Sequence, residues 1–125
     1  MPKFELRGKM YNNPVELALE VIGGKWKMPI LWRLQEKPWR YGELKKSLNR
    51  ITHKMLTEQL RELERDALIH REVYQVAPPK VEYSLTPKGE TTIPLIESLR
   101  EWGDAFRDQK LDARKKAIKL KQRRS

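Results

Sequence analysis

Thr52, His53, Lys54, Thr57, Glu58 and Arg61 stand within ten residues of one another and could do recognition chemistry on an anionic polymer. Leu56, Leu60, Leu63 and Ala67 recur among and after them at spacings of three and four, which marks one face of a helix. With that face turned inward, the opposite face presents His53, Lys54, Thr57, Glu58 and Arg61. The free N–H groups of a first helical turn and the positive end of the helix dipole attract anions. Thr52, His53 and Lys54 add side-chain donors suited to phosphate. One turn further on, Arg61 fits the acceptors of guanine, Glu58 can accept from the cytosine amino group, and Thr57 can touch a thymine methyl. Taken alone, such a face is more often plain solvated surface, and Glu58 could be repelled by phosphate or pair with a neighbouring arginine. The elements around it decide between the two readings.

Those elements follow from local grammar. Thr52 is placed to cap the helix, and Ile51 and Leu56 have the spacing of a hydrophobic staple. A short helix is predicted over residues 42–48, with Leu44 and Leu48 one turn apart, and residues 49–51 make a tight connection. Two helices joined in this way make a helix-turn-helix. Residues 69–76 are rich in strand formers, residues 77–80 form a proline-stiffened turn, and Val81, Tyr83 and Leu85 alternate. A hairpin directly behind the second helix makes the motif winged. Arg50 in the turn is then a phosphate clamp, and Arg71 and Lys80 on the hairpin reach phosphates or the adjacent minor groove. The bland reading of Lys80 is a soluble loop tip. Lys25 and Lys27 are weaker candidates, and His70 reads as structural.

Upstream, Asn13 caps a helix that has Pro14 in its first position and stops at Gly23-Gly24. A second helix runs from about residue 25 to 35 and must start near Trp26, so that Pro29 falls in its first turn. Downstream, Thr86-Pro87 opens a helix carrying Ile93 to Trp102, which Pro94 should kink. Gly103 is a candidate joint before a charged helical segment over residues 104–124. The four tryptophans read as core or subunit contact more readily than as a ligand pocket.

The whole chain sets the limits. Its 125 residues suit one ordinary domain, mainly helical α+β: residues 1–12 as an N-terminal arm, 13–103 as the winged helix-turn-helix, and 104–125 as a basic helix or tail. No cysteine is present, which excludes disulfides, thiol redox switching and thiolate metal sites, and two histidines are too few for an ordinary zinc site. No cofactor is implied. Nothing resembles a nucleophile–base pair, a phosphate loop or a metal cluster, so no enzymatic activity is expected. No apolar run is long enough to span a membrane and the first residues lack a signal-peptide core, so a cytoplasmic location is expected. The formal charge of +10 favours a polyanionic partner, but residues 103–125 alone hold a net +6, so the body is only mildly basic.

In three segments the chain resembles the HxlR-type winged helix-turn-helix transcriptional regulators: residues 13–34 (NPVELALEVIGGKWKMPILWRL), 40–74 (RYGELKKSLNRITHKMLTEQLRELERDALIHREVY) and 78–90 (PPKVEYSLTPKGE). The resemblance implies a regulator, a repressor by default because blocking a promoter needs only occupancy. It further implies a homodimer, built from the N-terminal and C-terminal helices, on a pseudo-palindromic double-stranded DNA operator. A small-molecule effector is left open, with no residue set identifying one. Many members carry a cysteine where Asn13 stands here, so thiol sensing does not carry over. Ala67 stands where the family usually has glycine, which implies an exit from the recognition helix made with Asp66 or Ala67 under mild strain, or with a different turn. The basic tail exceeds the family pattern. The alternative class is a basic architectural or RNA-associated protein that coats nucleic acid through that tail; a third is a winged helix used to bind protein.

Overall fold

In a computed structural model, which describes residues 1–124, Asn13 caps helix α1 (Pro14–Ile22) by accepting a 3.0 Å hydrogen bond from the Glu16 amide. The Glu16 carboxylate reaches back to the Asn12 amide at 2.6 Å. Gly23 ends the helix in close contact with its own last turn: a Cβ there would overlap the Leu19 carbonyl. Helix α2 (Lys27–Arg33) begins after Trp26 and holds Pro29 in its first turn, where the missing N–H forfeits no intrahelical bond. The chain continues through β3 (Trp39–Arg40), α3 (Tyr41–Ser47), α4 (His53–Arg65), β4 (Ile69–Tyr74) and β5 (Lys80–Leu85). The three strands form an antiparallel sheet in the order β3-β5-β4, with Arg71 opposite Tyr83 and Val73 opposite Val81. This is a mainly helical α+β fold, a winged helix-turn-helix.

Ile30, Leu31, Leu44, Leu56 and Leu63 are fully buried and bring α2, α3 and α4 onto one core. Fully burying each such side chain stabilises by roughly 1.5–3 kcal/mol. The wing itself is thinly covered: of β4 only Ile69 is buried, and of β5 only Tyr83.

Three elements differ from the sequence reading. First, residues before α1 form a hairpin, β1 (Phe4–Leu6) with β2 (Lys9–Tyr11), where only an arm was expected. Its turn places Arg7 (φ 56°) and Gly8 (φ 71°) in the left-handed region, as a two-residue hairpin turn demands. Tyr11 stacks on Phe4 and is buried. Secondly, Thr86 caps a one-turn helix, α5 (Pro87–Glu90), and the break falls at Thr91. The proline ring would strike the carbonyl four residues back, that of Glu90, so a single helix through both segments is disfavoured. Helix α6 (Thr92–Arg124) instead restarts with Pro94 in its first turn and runs unbroken through Gly103. One interior glycine costs a helix only about 1 kcal/mol, too little to break it here. Thirdly, Ala67 is not on the buried leucine face; it lies outside α4, exposed, at φ 60°. The chain divides into two compact units, residues 1–93 and residues from Pro94 onward.

Candidate nucleic-acid interface

The connection from α3 to α4 is five residues long (48–52) and turns at Asn49 (φ 27°) and Arg50 (φ 68°), which leaves Arg50 exposed at the corner. Thr52 caps α4: its Oγ1 accepts from the Met55 amide at 3.1 Å. Its hydroxyl hydrogen stays available to a further acceptor. Ile51 and Leu56 are both buried on either side of the cap, as a staple requires.

At 3.6 residues per turn, α4 has an inner face and three others. Leu56, Leu60 and Leu63 are buried inward. Lys54, Glu58 and Arg61 lie roughly opposite and are exposed; none of the three forms an ion pair with a described residue. His53 and Thr57 sit on the flank toward α3. The Tyr41 hydroxyl lies 2.7 Å from His53 Nδ1 and 3.2 Å from both the His53 carbonyl and Thr57 Oγ1. One phenol thus ties the first turn of α4 to the start of α3. Met55, Gln59 and Glu62 occupy the other flank, toward α2.

That second flank is where charges are partnered. Lys27, one of the weaker phosphate candidates, is 5% exposed and meets Glu62 Oε2 at 2.8 Å, with the Glu20 carbonyl at 3.4 Å. It falls on the stripe Lys27, Ile30, Leu31, Leu34, so helical spacing alone marked it as inward. Buried and paired, it is not a phosphate contact. At the C-terminal end of α4, buried Asp66 receives Arg7 of the hairpin at 2.9 Å and Arg65 at 3.3 Å. Nearby, the Tyr11 hydroxyl and the Lys9 ammonium hold the Glu20 carboxyl below its usual range.

Between α4 and the wing lies a cleft of about 370 Å³ lined by Tyr41, Thr57, Arg61, Glu64, Arg71 and Tyr83. Burial raises the Tyr83 phenol above its usual pKa, against the Arg71 guanidinium that hydrogen-bonds it. Arg61 and Arg71, chosen on sequence from different elements, therefore share one groove. Lys80 lies along its own strand, 2.7 Å from Glu82 and 5.0 Å over the Tyr74 ring. Tyr41, Tyr83 and Glu64 were not among the sequence candidates. No local pattern marks Tyr41, whose partners lie 12 and 16 residues away.

No helix among the described residues is long and apolar enough to cross a membrane. The model of the HxlR-like helix-turn-helix family matches residues 21–111. Over 106 residues the chain is 52% identical to YdeP, an uncharacterized HTH-type transcriptional regulator of Bacillus subtilis (strain 168), covering 83% of each chain. It is 45% identical over 107 residues to an uncharacterized HTH-type transcriptional regulator of Methanothermobacter thermautotrophicus, covering 86% of this chain and 82% of that one. The redox regulator HypR in its reduced form superposes with a TM-score of 0.74 at 49% identity, covering 77% of this chain and 95% of that structure. A helix-turn-helix with an open outer face on α4, a wing beside it and this degree of likeness leave one assignment: the chain belongs to the HxlR-like helix-turn-helix family of DNA-binding transcriptional regulators.

Proposed function

We propose that the protein is a cytoplasmic homodimeric repressor of a pseudo-palindromic operator, inserting one α4 into each of two major grooves about 34–36 Å apart. The observation that carries this reading is the state of the charges on α4 and its turn. Arg50, Lys54 and Arg61 are exposed with no ion-pair partner among the described residues, while the cations behind the helix are paired. Arg50, Lys54 and the Thr52 hydroxyl hold phosphates, and the α4 N-terminus points its free amides the same way. Arg61 and Glu58 read base edges. His53 and Thr57, fastened to Tyr41, contribute from the α3 side. Arg71 and Lys80 serve the wing, with Lys80 exchanging Glu82 for phosphate.

The dimer reading is supported by apolar side chains that are exposed on the terminal helices. Val15 and Leu19 stand one turn apart on α1. On α6, Leu95, Leu99, Trp102 and Phe106 repeat at four, three and four residues, the spacing of a coiled-coil seam; Trp102 is 68% exposed and stacks on Phe106. HypR is a redox regulator; with no cysteine in this sequence, a thiol switch has no counterpart here.

Selection of bound duplexes from a random library at physiological salt tests the reading. A two-fold-related motif with half-sites one turn apart is expected. Binding without any enriched motif would overturn it.

A further inference from the structure

Residues 113–125 hold seven Lys/Arg and no Asp/Glu, and they lie beyond residue 111, where the family match ends. The preceding turns are balanced differently: Asp104, Asp108 and Asp112 recur every four residues, and Arg107 pairs with the first two at 3.3 Å. Past them, Lys115, Lys116, Lys119 and Lys121 are exposed and have no ion-pair or hydrogen-bond partner among the described residues. Lys115 and Lys119 are four residues apart, as are Lys119 and Arg123, and like charges at that spacing weaken a helix. The segment is nonetheless helical to Arg124. A polyanion along the helix would relieve the repulsion.

The kind of polyanion follows from the apolar residues. Ile118 and Leu120 are two positions apart, hence on nearly opposite sides of a helix, and of the other apolar residues only the small Ala113 and Ala117 share the side of Leu120, so there is no broad apolar face to enter a lipid surface. Lys116, Lys119 and Arg123 instead line one side, beside Leu120, along a shallow groove of about 250 Å³. From Lys116 to Arg123 they span roughly 10.5 Å along the axis, close to three phosphate spacings of about 3.4 Å on one strand of a duplex. Tethering to an operator-bound domain also raises the local concentration of DNA phosphate far above that of any free polyanion.

We propose that residues 113–124 form a phosphate-binding helix that engages the DNA flanking the operator, outside the half-sites read by α4. This rests on the regulator reading above. The test compares the full chain with the combined variant Lys115→Gln, Lys116→Gln, Lys119→Gln, Arg123→Gln, after circular dichroism has shown equal helicity. Affinity is measured against salt on two duplexes carrying the selected motif: one ending at the outer edges of the half-sites, the other extended by about ten base pairs, one turn, on each side. The unaltered protein should show a log–log salt slope steeper on the extended duplex by about 3 for each tail engaged, and the variant a much smaller difference between the two duplexes. On the extended duplex at physiological salt the variant should bind about 10- to 100-fold more weakly, the scale of a few lost phosphate contacts. Slopes independent of duplex length in the unaltered protein would overturn the flank proposal and leave the regulator reading standing. Binding of the unaltered protein but not the variant to phosphatidylserine vesicles, with no length effect on DNA, would assign the helix to lipid. Absence of any sequence preference in both proteins, with binding lost in the variant, would overturn the regulator reading itself in favour of coating by the tail.

Discussion

The back and the front of α4 carry charges of both signs, yet the two surfaces treat them differently. Behind the helix, Glu62 meets buried Lys27, and Asp66 is closed over by Arg7 and Arg65. In front, Lys54, Glu58 and Arg61 stand in solvent with no ion pair among the described residues. A buried ion pair gains little net stability over an apolar pair of the same shape, because desolvation offsets the attraction. Its effect is positional: each charge tolerates only a pose that satisfies the other. On the proposed reading, the exposed cations keep their hydration and counterions until phosphate displaces them, which favours binding through counterion release. Partnered charges would then fix how α4 is held, and unpartnered ones what it holds.

The largest expected effect breaks the back. Glu62→Ala leaves the Lys27 side chain, 7% exposed, with only the Glu20 carbonyl at 3.4 Å. Glu62 is itself 41% exposed, so the cost should lie below that of a fully buried pair, about 2–3 kcal/mol of unfolding free energy, read from urea denaturation midpoints. Replacing both partners, Lys27→Met with Glu62→Leu, should restore most of it. Lys54→Ala on the front should stay within about 0.5 kcal/mol of the parent. Equal losses from Glu62→Ala and Lys54→Ala would erase the distinction between the two surfaces.

The next effect belongs to the front. Arg61→Ala should leave stability unchanged and cost about 2 kcal/mol of binding at one base position in each half-site. Repeating the duplex selection with the variant reads this directly as a position that loses its preference. A uniform loss over all sequences would reassign Arg61 to phosphate.

How far this division was legible in the sequence depends on the range of the signal. The α4 cap, the staple, the buried leucines and the wing strands are set by neighbours within a few residues, and each was readable there. The face of α4 was read as one surface, because a helical wheel separates inside from outside but not left from right. Only the fold shows that His53 and Thr57 turn toward Tyr41, while Glu62 turns toward Lys27. Lys27 was a missed signal rather than an absent one, since it shares the stripe of Ile30, Leu31 and Leu34. The hairpin before α1 gave little to read: two three-residue strands and a turn led by arginine instead of asparagine or aspartate. Its docking through Arg7 to Asp66, 59 positions away in sequence, has no local trace.

The smallest effect sharpens the comparison, because it alters the back of α4 without touching a charge. Past the C-cap Asp66, the Leu68 amide donates to the Leu63 carbonyl and the Ala67 amide to the Glu64 carbonyl, both at 3.0 Å. This bond pair closes a helix when the residue after the cap is left-handed, and Ala67 is, at φ 60°. A side chain makes that conformation unfavourable by roughly 1–2 kcal/mol, a cost glycine does not incur. Glycine also gains freedom in the unfolded chain, which returns part of the difference. Ala67→Gly should therefore stabilise by about 1 kcal/mol, seen as a higher denaturation midpoint, with the selected DNA motif unchanged. A changed motif would mean that strain at the C-terminal end of α4 tunes the reading face at the other end, and that the two surfaces are not separable.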